Sequence, residues 1–252
     1  MEILIQIILA IIQGITEFLP ISSSGHLALI QNYFGNVDVN LDIFLHLATL
    51  LSLLVFFSKD ILNLIRGFFT FNKRNEEFRL AIFIIMASIP AAIFGFLIAP
   101  HIEKVFSNLY LVAFGFVITG LFLFNASLKK EDNKKLNLKN TFLIGLIQAL
   151  AILPGISRSG STVSTGILSG IKKEKAVRFS FLLAIPAIIG ATILNLEDIN
   201  FSPQLLLPFI ICFLTGLASI HLFLKKITLK NFKYFAFYCW LLAILIFVLR
   251  LV

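Results

Sequence analysis

Apolar residues run in long blocks along this chain, with polar residues bunched between them. Six blocks are long enough to span about 30 Å of hydrocarbon as helices: residues 42–58, 78–99, 108–128, 177–194, 204–224 and 232–251. Two further segments, 1–36 and 140–170, are apolar at both flanks and broken in the centre. Their centres read Leu19-Pro20-Ile21-Ser22-Ser23-Ser24-Gly25 and Pro154-Gly155-Ile156-Ser157-Arg158-Ser159-Gly160. Two full spans need about 40 residues, more than either segment offers, and a single span would bury the polar centre in lipid. A re-entrant hairpin enters, breaks at mid-depth and returns to its own side, provided protein or water surrounds the break. The pattern predicts an all-α polytopic membrane protein with six transmembrane helices and two re-entrant helical hairpins.

The two breaks read as copies of one motif. Ile12-Gln13 and Ile21 through Gly25 recur 135 residues later as Ile147-Gln148 and Ile156 through Gly160, with Arg158 in the slot of Ser23. Each copy is one hairpin followed by three spans, and an odd number of crossings inverts the second copy. A single membrane domain over 1–252 is expected, built as an inverted-topology repeat of about 1–128 and 140–252, a transporter-like plan. Ile89-Pro90-Ala91 and Ile185-Pro186-Ala187 fall outside this register and are read as common helix packing.

Composition agrees with a lipid solvent. Hydrophobic residues make up 59% of the 252 and charged residues 13%, against about 45–50% and about 25% in soluble domains. A soluble enzyme, a nucleic-acid binder and a disordered chain are excluded. The net charge of +8 is concentrated: eighteen of 21 Lys and Arg fall in 59–79, 129–140, 171–178 and 225–233. With re-entrant hairpins all four loops share one side, which the positive-inside rule assigns to the cytoplasm. Only Lys104 and Arg250 face the other way, and Arg158 lies inside a break. Both termini and the first hairpin then belong to the outer face, and the second hairpin dips from the cytoplasm. Met1-Glu2 lacks a basic signal-peptide start, so the mature helices are expected to drive insertion. Cys212 and Cys239 stand alone in apolar stretches and indicate neither disulfide nor zinc.

The candidate chemistry collects at the breaks. At about 100° per residue, Glu2, Gln6, Gln13 and Glu17 form one helical stripe. The glutamines suit a polar packing seam. Glu17 lies deep, where an ionised carboxylate costs about 2.5–3.5 kcal/mol and needs a cation. Each returning arm starts after Ser-Ser-Ser-Gly or Ser-Arg-Ser-Gly, so serine caps a helix N-terminus with free N–H groups and a positive dipole end. If both ends converge, they surround one volume with hydroxyls and Arg158, an anion site for which phosphate is the natural occupant. Glu17 with Gln13 can hold Mg²⁺ beside that phosphate. His26 can exchange protons there, whereas His46, His101 and His221 are read as structural. Ser23 near His26 has the parts for nucleophilic phosphoryl transfer.

Gln13-Gly14-Ile15-Thr16-Glu17-Phe18-Leu19-Pro20-Ile21-Ser22-Ser23-Ser24-Gly25-His26 resembles the glutamate-rich motif of the bacterial undecaprenyl pyrophosphate phosphatases, the bacitracin-resistance family. Pro154-Gly155-Ile156-Ser157-Arg158-Ser159-Gly160-Ser161-Thr162 resembles their second signature, and length and span order match throughout. The resemblance implies removal of the terminal phosphate of undecaprenyl pyrophosphate, which recycles the carrier lipid of cell-wall synthesis. It implies Mg²⁺ or another divalent cation such as Ca²⁺, held by Glu17 with Gln13, where the family has Glu or Gln. Glu17, Ser23, His26 and Arg158 become the expected catalytic set, with either Ser23 or His26 as nucleophile. Ser22, Ser24, Gly25, Ser157, Ser159 and Thr162 become expected substrate-binding residues. The expected partners are a polyprenyl pyrophosphate, membrane lipid and, as an open alternative, a second copy in a homodimer, with no nucleic acid. A long lipid tail independently suits a groove among the 28 phenylalanines. The inverted repeat keeps a second class open, a transporter or flippase for a phosphorylated polyprenyl lipid, which would need the anion clamp but no nucleophile.

Overall fold

The computed structural model describes residues 2–34, 39–130, 132–195 and 199–251, and the side chains of Glu2 and Arg250 lie outside the described set. Twelve α-helices occur among these residues. The first hairpin is α1 (Glu2–Thr16) and α2 (Ser23–Phe34), and the second is α8 (Leu138–Leu150) and α9 (Arg158–Leu168). Between them lie α3 (Val39–Phe56), α4 (Ser58–Phe68), α5 (Glu76–Ile98), α6 (Ile102–Ser107) and α7 (Leu109–Ser127). After them come α10 (Lys173–Leu194), α11 (Leu206–Lys226) and α12 (Phe232–Leu251). The only β contact among the described residues is one bridge between Lys134 and Ile171.

Five helices are long and apolar enough to cross a membrane, and a sixth span exists if α3 and α4 are taken together. The sequence places a loop at 59–79, but two-thirds of that stretch is helical. The axis turns by 75° between α3 and α4, at Phe57, whose φ of −95° and ψ of 20° are not helical. The reason lies in α4 itself. Ile61, Leu62, Leu64, Ile65 and Phe68 alternate with Lys59, Asp60, Asn63 and Arg66 at helical spacing, an amphipathic pattern that packs along a surface instead of through a core. Arg178 of α10 fastens α4 to the bundle: its Nε donates to Asp60 at 2.7 Å and its Nη2 to Glu77 of α5 at 3.3 Å. Arg178, with Lys173 and Lys175, belongs to the first turns of α10 and not to a loop.

Small residues set the closest helix contacts, as expected where burial from water supplies no force between helices. Gly14 of α1 lies against Thr215 and Gly216 of α11, and Gly145 of α8 against Ala87 of α5. Gly120 of α7 makes room for Trp240 of α12, whose indole N–H donates to the Val117 carbonyl at 3.2 Å. Hydroxyls join the same partners: Ser219 of α11 donates to Ile15 of α1, and Ser52 of α3 to Phe213 of α11. The first arm of each hairpin thus rests on a span from the other half, α1 on α11 and α8 on α5.

Candidate active site

The two breaks meet. Gly25 lies against Gly155 of the second break, where an added Cβ would come within 3.0 Å of the Gly155 Cα. Gly160, its counterpart 135 residues on, lies against the Pro20 carbonyl of the first break at 3.1 Å from such a Cβ. Ser159 adds a direct bond across the crossing, donating to the Leu19 carbonyl at 3.1 Å. Gly155 has a φ of +84° and packs on the Val112 carbonyl, a place and a conformation that only glycine fits well. Thr119 of α7 clamps this break from behind, donating to the Gly155 carbonyl and accepting from the Ser157 N–H, both at 2.8 Å.

The returning arms are capped alike. Ser157 accepts from the Gly160 N–H at 3.1 Å and Ser22 from the Gly25 N–H at 3.2 Å. Ser157 shares a hydroxyl contact with Ser159 at 3.3 Å, and Ser22 with Ser24 at 3.2 Å. The copies differ in backbone. Ser22 is left-handed with a φ of 66°, a costly state for a serine, whereas Ser157 has a φ of −71°.

Glu17 sits just past the end of α1, and three side chains bond to its carboxylate. Its Oε1 accepts from Arg158 Nη2 at 2.7 Å, and its Oε2 from the Ser23 hydroxyl at 2.6 Å and the Gln13 amide at 3.2 Å. The ion pair is secluded, with side-chain exposures of 8% for Glu17 and 14% for Arg158. Arg158 Nη1 reaches the Ser180 carbonyl of α10 at 3.4 Å, while Thr162 donates to the Arg158 carbonyl at 2.6 Å and pairs with the Ser180 hydroxyl at 2.7 Å. Thr162 therefore braces the arginine.

Several sequence-derived assignments look different in place. The Ser23 hydroxyl is engaged by Glu17 and not by His26. His26 instead holds the Ser22 carbonyl through Nδ1 and the Tyr238 hydroxyl through Nε2, both at 2.7 Å. Ser22, Ser24, Ser157 and Ser159 cap helices and tie the breaks together. The sequence reading missed Tyr238, Ser180 and Thr119, each a single polar residue in an apolar span with no local motif. His46 bonds through Nδ1 to the Asp42 carbonyl one turn earlier in α3, at 2.8 Å.

The residues present fit a divalent cation modestly. Gln13 Oε1 is buried and has no hydrogen-bond partner, a hard oxygen donor one helical turn from a carboxylate. Among the described residues no group of three or more His, Cys, Asp or Glu gathers to cage a metal. That donor set matches Mg²⁺, which takes one or two protein oxygens and completes its shell with phosphate and water.

A family model described as bacitracin resistance protein BacA matches residues 6–245. The chain belongs to the BacA family. Among its BacA-family relatives, an undecaprenyl-diphosphatase of Thermosipho africanus is 46% identical over 246 residues, covering 96% of this chain and 98% of the relative. One from Methanococcus vannielii is 40% identical, covering 95% and 97%. Undecaprenyl-diphosphatase 1 of Shouchella clausii is 36% identical over 269 residues, covering 99% and 97%.

Proposed function

We propose that this chain is a membrane-embedded undecaprenyl-diphosphate phosphatase, releasing inorganic phosphate and leaving undecaprenyl phosphate. The observation that carries the reading is the grouping of the Ser23 hydroxyl, the Glu17 carboxylate and the Arg158 guanidinium at the crossing of two helix N-termini. Carriers need to bind phosphate; they have no use for an alcohol held against a base.

Ser23 acts as nucleophile in this proposal. Its Oγ attacks the terminal phosphorus while its proton passes to Glu17 Oε2, 2.6 Å away. The bond from phosphorus to the bridging oxygen breaks, and the lipid monophosphate leaves with that electron pair. Water then cleaves the phosphoserine, and the Glu17 proton returns to Ser23 Oγ. Arg158 has five N–H donors, and those not directed at Glu17 and Ser180 are free for phosphoryl oxygens. The capped N-termini of α2 and α9 add positive dipole ends on either side. Glu17 and Gln13 would hold Mg²⁺, which when bound neutralises phosphate charge.

An apolar cavity of about 410 Å³ supports the long-chain substrate. Ile15 and Leu19, which flank Glu17, line one end, and Leu222, Phe223 and Phe235 continue it along α11 and α12. The exchanged packing of α1 on α11 and α8 on α5 supports an inverted repeat. The distribution of basic loops supports cytoplasmic placement of those loops, with both termini on the outer face.

The test is phosphate release from purified protein given Mg²⁺ and a polyprenyl pyrophosphate. Wild type is expected to release phosphate and Arg158→Ala to release none. Tight lipid binding with no release by wild type would overturn the enzyme reading in favour of a carrier.

A further inference from the structure

We propose that Tyr238, on the last helix, is a positioning residue for His26, holding the imidazole by its Nε2 atom while the Ser22 carbonyl keeps the proton on Nδ1. His26 Nδ1 lies 2.7 Å from the Ser22 carbonyl oxygen. A carbonyl can only accept, so Nδ1 bears the hydrogen and neutral His26 presents its lone pair at Nε2. Tyr238 places its hydroxyl 2.7 Å from that nitrogen, donating to it. The two rings lie nearly parallel, 9° apart with centroids at 5.7 Å, and Phe116 of α7 meets the imidazole edge-on at 85°.

Both ends of the clamp are built at a cost. Ser22 holds a left-handed φ of 66°, and its carbonyl oxygen, besides meeting Nδ1, accepts the His26 N–H at 3.3 Å. Tyr238 lies on a flank of α12 where Tyr234, Phe237 and Leu241 are all exposed. A tyrosine on such a flank ordinarily turns its hydroxyl to interfacial water. Here the hydroxyl turns inward to a residue 212 positions away in the chain. Without it, Nε2 has no partner among the described residues, and the ring is held at Nδ1 alone.

The consequence is directional. Proton exchange with a phosphoryl oxygen or a water must pass through Nε2, and the Tyr238 hydroxyl stands at that atom. This inference rests on the reading of His26 as part of a phosphatase site, one turn from Ser23, but the hydrogen bond at Nε2 is a property of the resting protein.

The experiment compares wild type with Tyr238→Phe in lipid nanodiscs, using protein labelled with ¹⁵N in histidine and His26 assigned by His26→Ala. Wild type is expected to show His26 protonated at Nδ1 with Nε2 accepting a hydrogen bond, and Tyr238→Phe to keep that tautomer with the Nε2 resonance shifted to that of a nitrogen without its donor. In phosphate release, Tyr238→Phe is expected to lower kcat on the order of tenfold, about the worth of one hydrogen bond, with KM held within about twofold. Adding Tyr238→Phe to His26→Ala is expected to change the rate by less than about twofold, because the residue it positions is gone. An unchanged Nε2 resonance in Tyr238→Phe would overturn the proposal. So would losses that multiply in the double variant. Failure of wild type to release phosphate would sink the phosphatase reading, while the ¹⁵N spectrum would still decide the role of Tyr238.

Discussion

Glu17 Oε1 and Arg158 Nη2 lie 2.7 Å apart although 141 positions separate them in the chain. Each sits at the break of a different hairpin, and each is nearly sealed from solvent. A carboxylate or guanidinium alone at that depth would be costly, so each is the condition for the other. The pair also holds both groups charged and oriented before a substrate arrives, which is what a phosphoryl-transfer site needs.

Removing one partner should therefore harm stability as well as turnover. Glu17→Ala and Arg158→Ala are each expected to cost about 3–5 kcal/mol, the toll of an uncompensated buried charge. The double variant is expected to be more stable than either single one, though inactive. Unfolding midpoints of the four proteins in one detergent measure this. Independent, additive losses would contradict the pairing.

The identity of the nucleophile is accessible by trapping. Acid quenching of the protein with substrate labelled in its terminal phosphate should leave label on the peptide that contains Ser23, since a phosphate ester survives acid. His26→Ala is expected to retain the label and Ser23→Ala to lose it. Label that vanishes in acid but persists in alkali would point to His26.

Gln13 offers a handle on the metal. Gln13→Leu deletes the orphaned buried oxygen and should raise the Mg²⁺ concentration for half-maximal phosphate release on the order of tenfold. Gln13→Glu restores an oxygen donor and is expected to bring that concentration back to the wild-type value or below it. Equal Mg²⁺ titrations for Gln13→Leu and wild type would remove Gln13 from the metal site.

Contact at the crossing can be tested by adding a single methyl group. A Cβ at Gly25 would meet Phe116 Cζ at 2.6 Å as well as Gly155, and overpacking of this kind costs about 1–3 kcal/mol. Gly25→Ala is expected to lower the unfolding midpoint and to suppress phosphate release by spreading the breaks. Gly190→Ala, where nothing lies within 4 Å, is the matched control and should leave both unchanged.

Much of this arrangement was legible in the sequence because lipid imposes few solutions on an apolar chain. The span blocks follow from hydropathy, and helices such as α12 (Phe232–Leu251) keep the expected bounds. The two hairpins follow from polar centres that lipid would not tolerate. Glu17 and Arg158 stood out for the same reason. The amphipathic α4 escaped notice because its charges read as a loop when only apolar blocks are sought. Tyr238, Ser180 and Thr119 were hidden for a different reason. Each is an ordinary residue in an ordinary helix, and its importance arises only from what the fold brings opposite to it, as when Ser180 supports Arg158 from 22 positions away.

The reciprocal seating of Gly25 on Gly155 and of Gly160 on Pro20 leaves neither half of the chain with an interior of its own. Whatever thickens one loop must displace the other. A drug-resistance substitution at either crossing would be expected to travel with a compensating change in its twin.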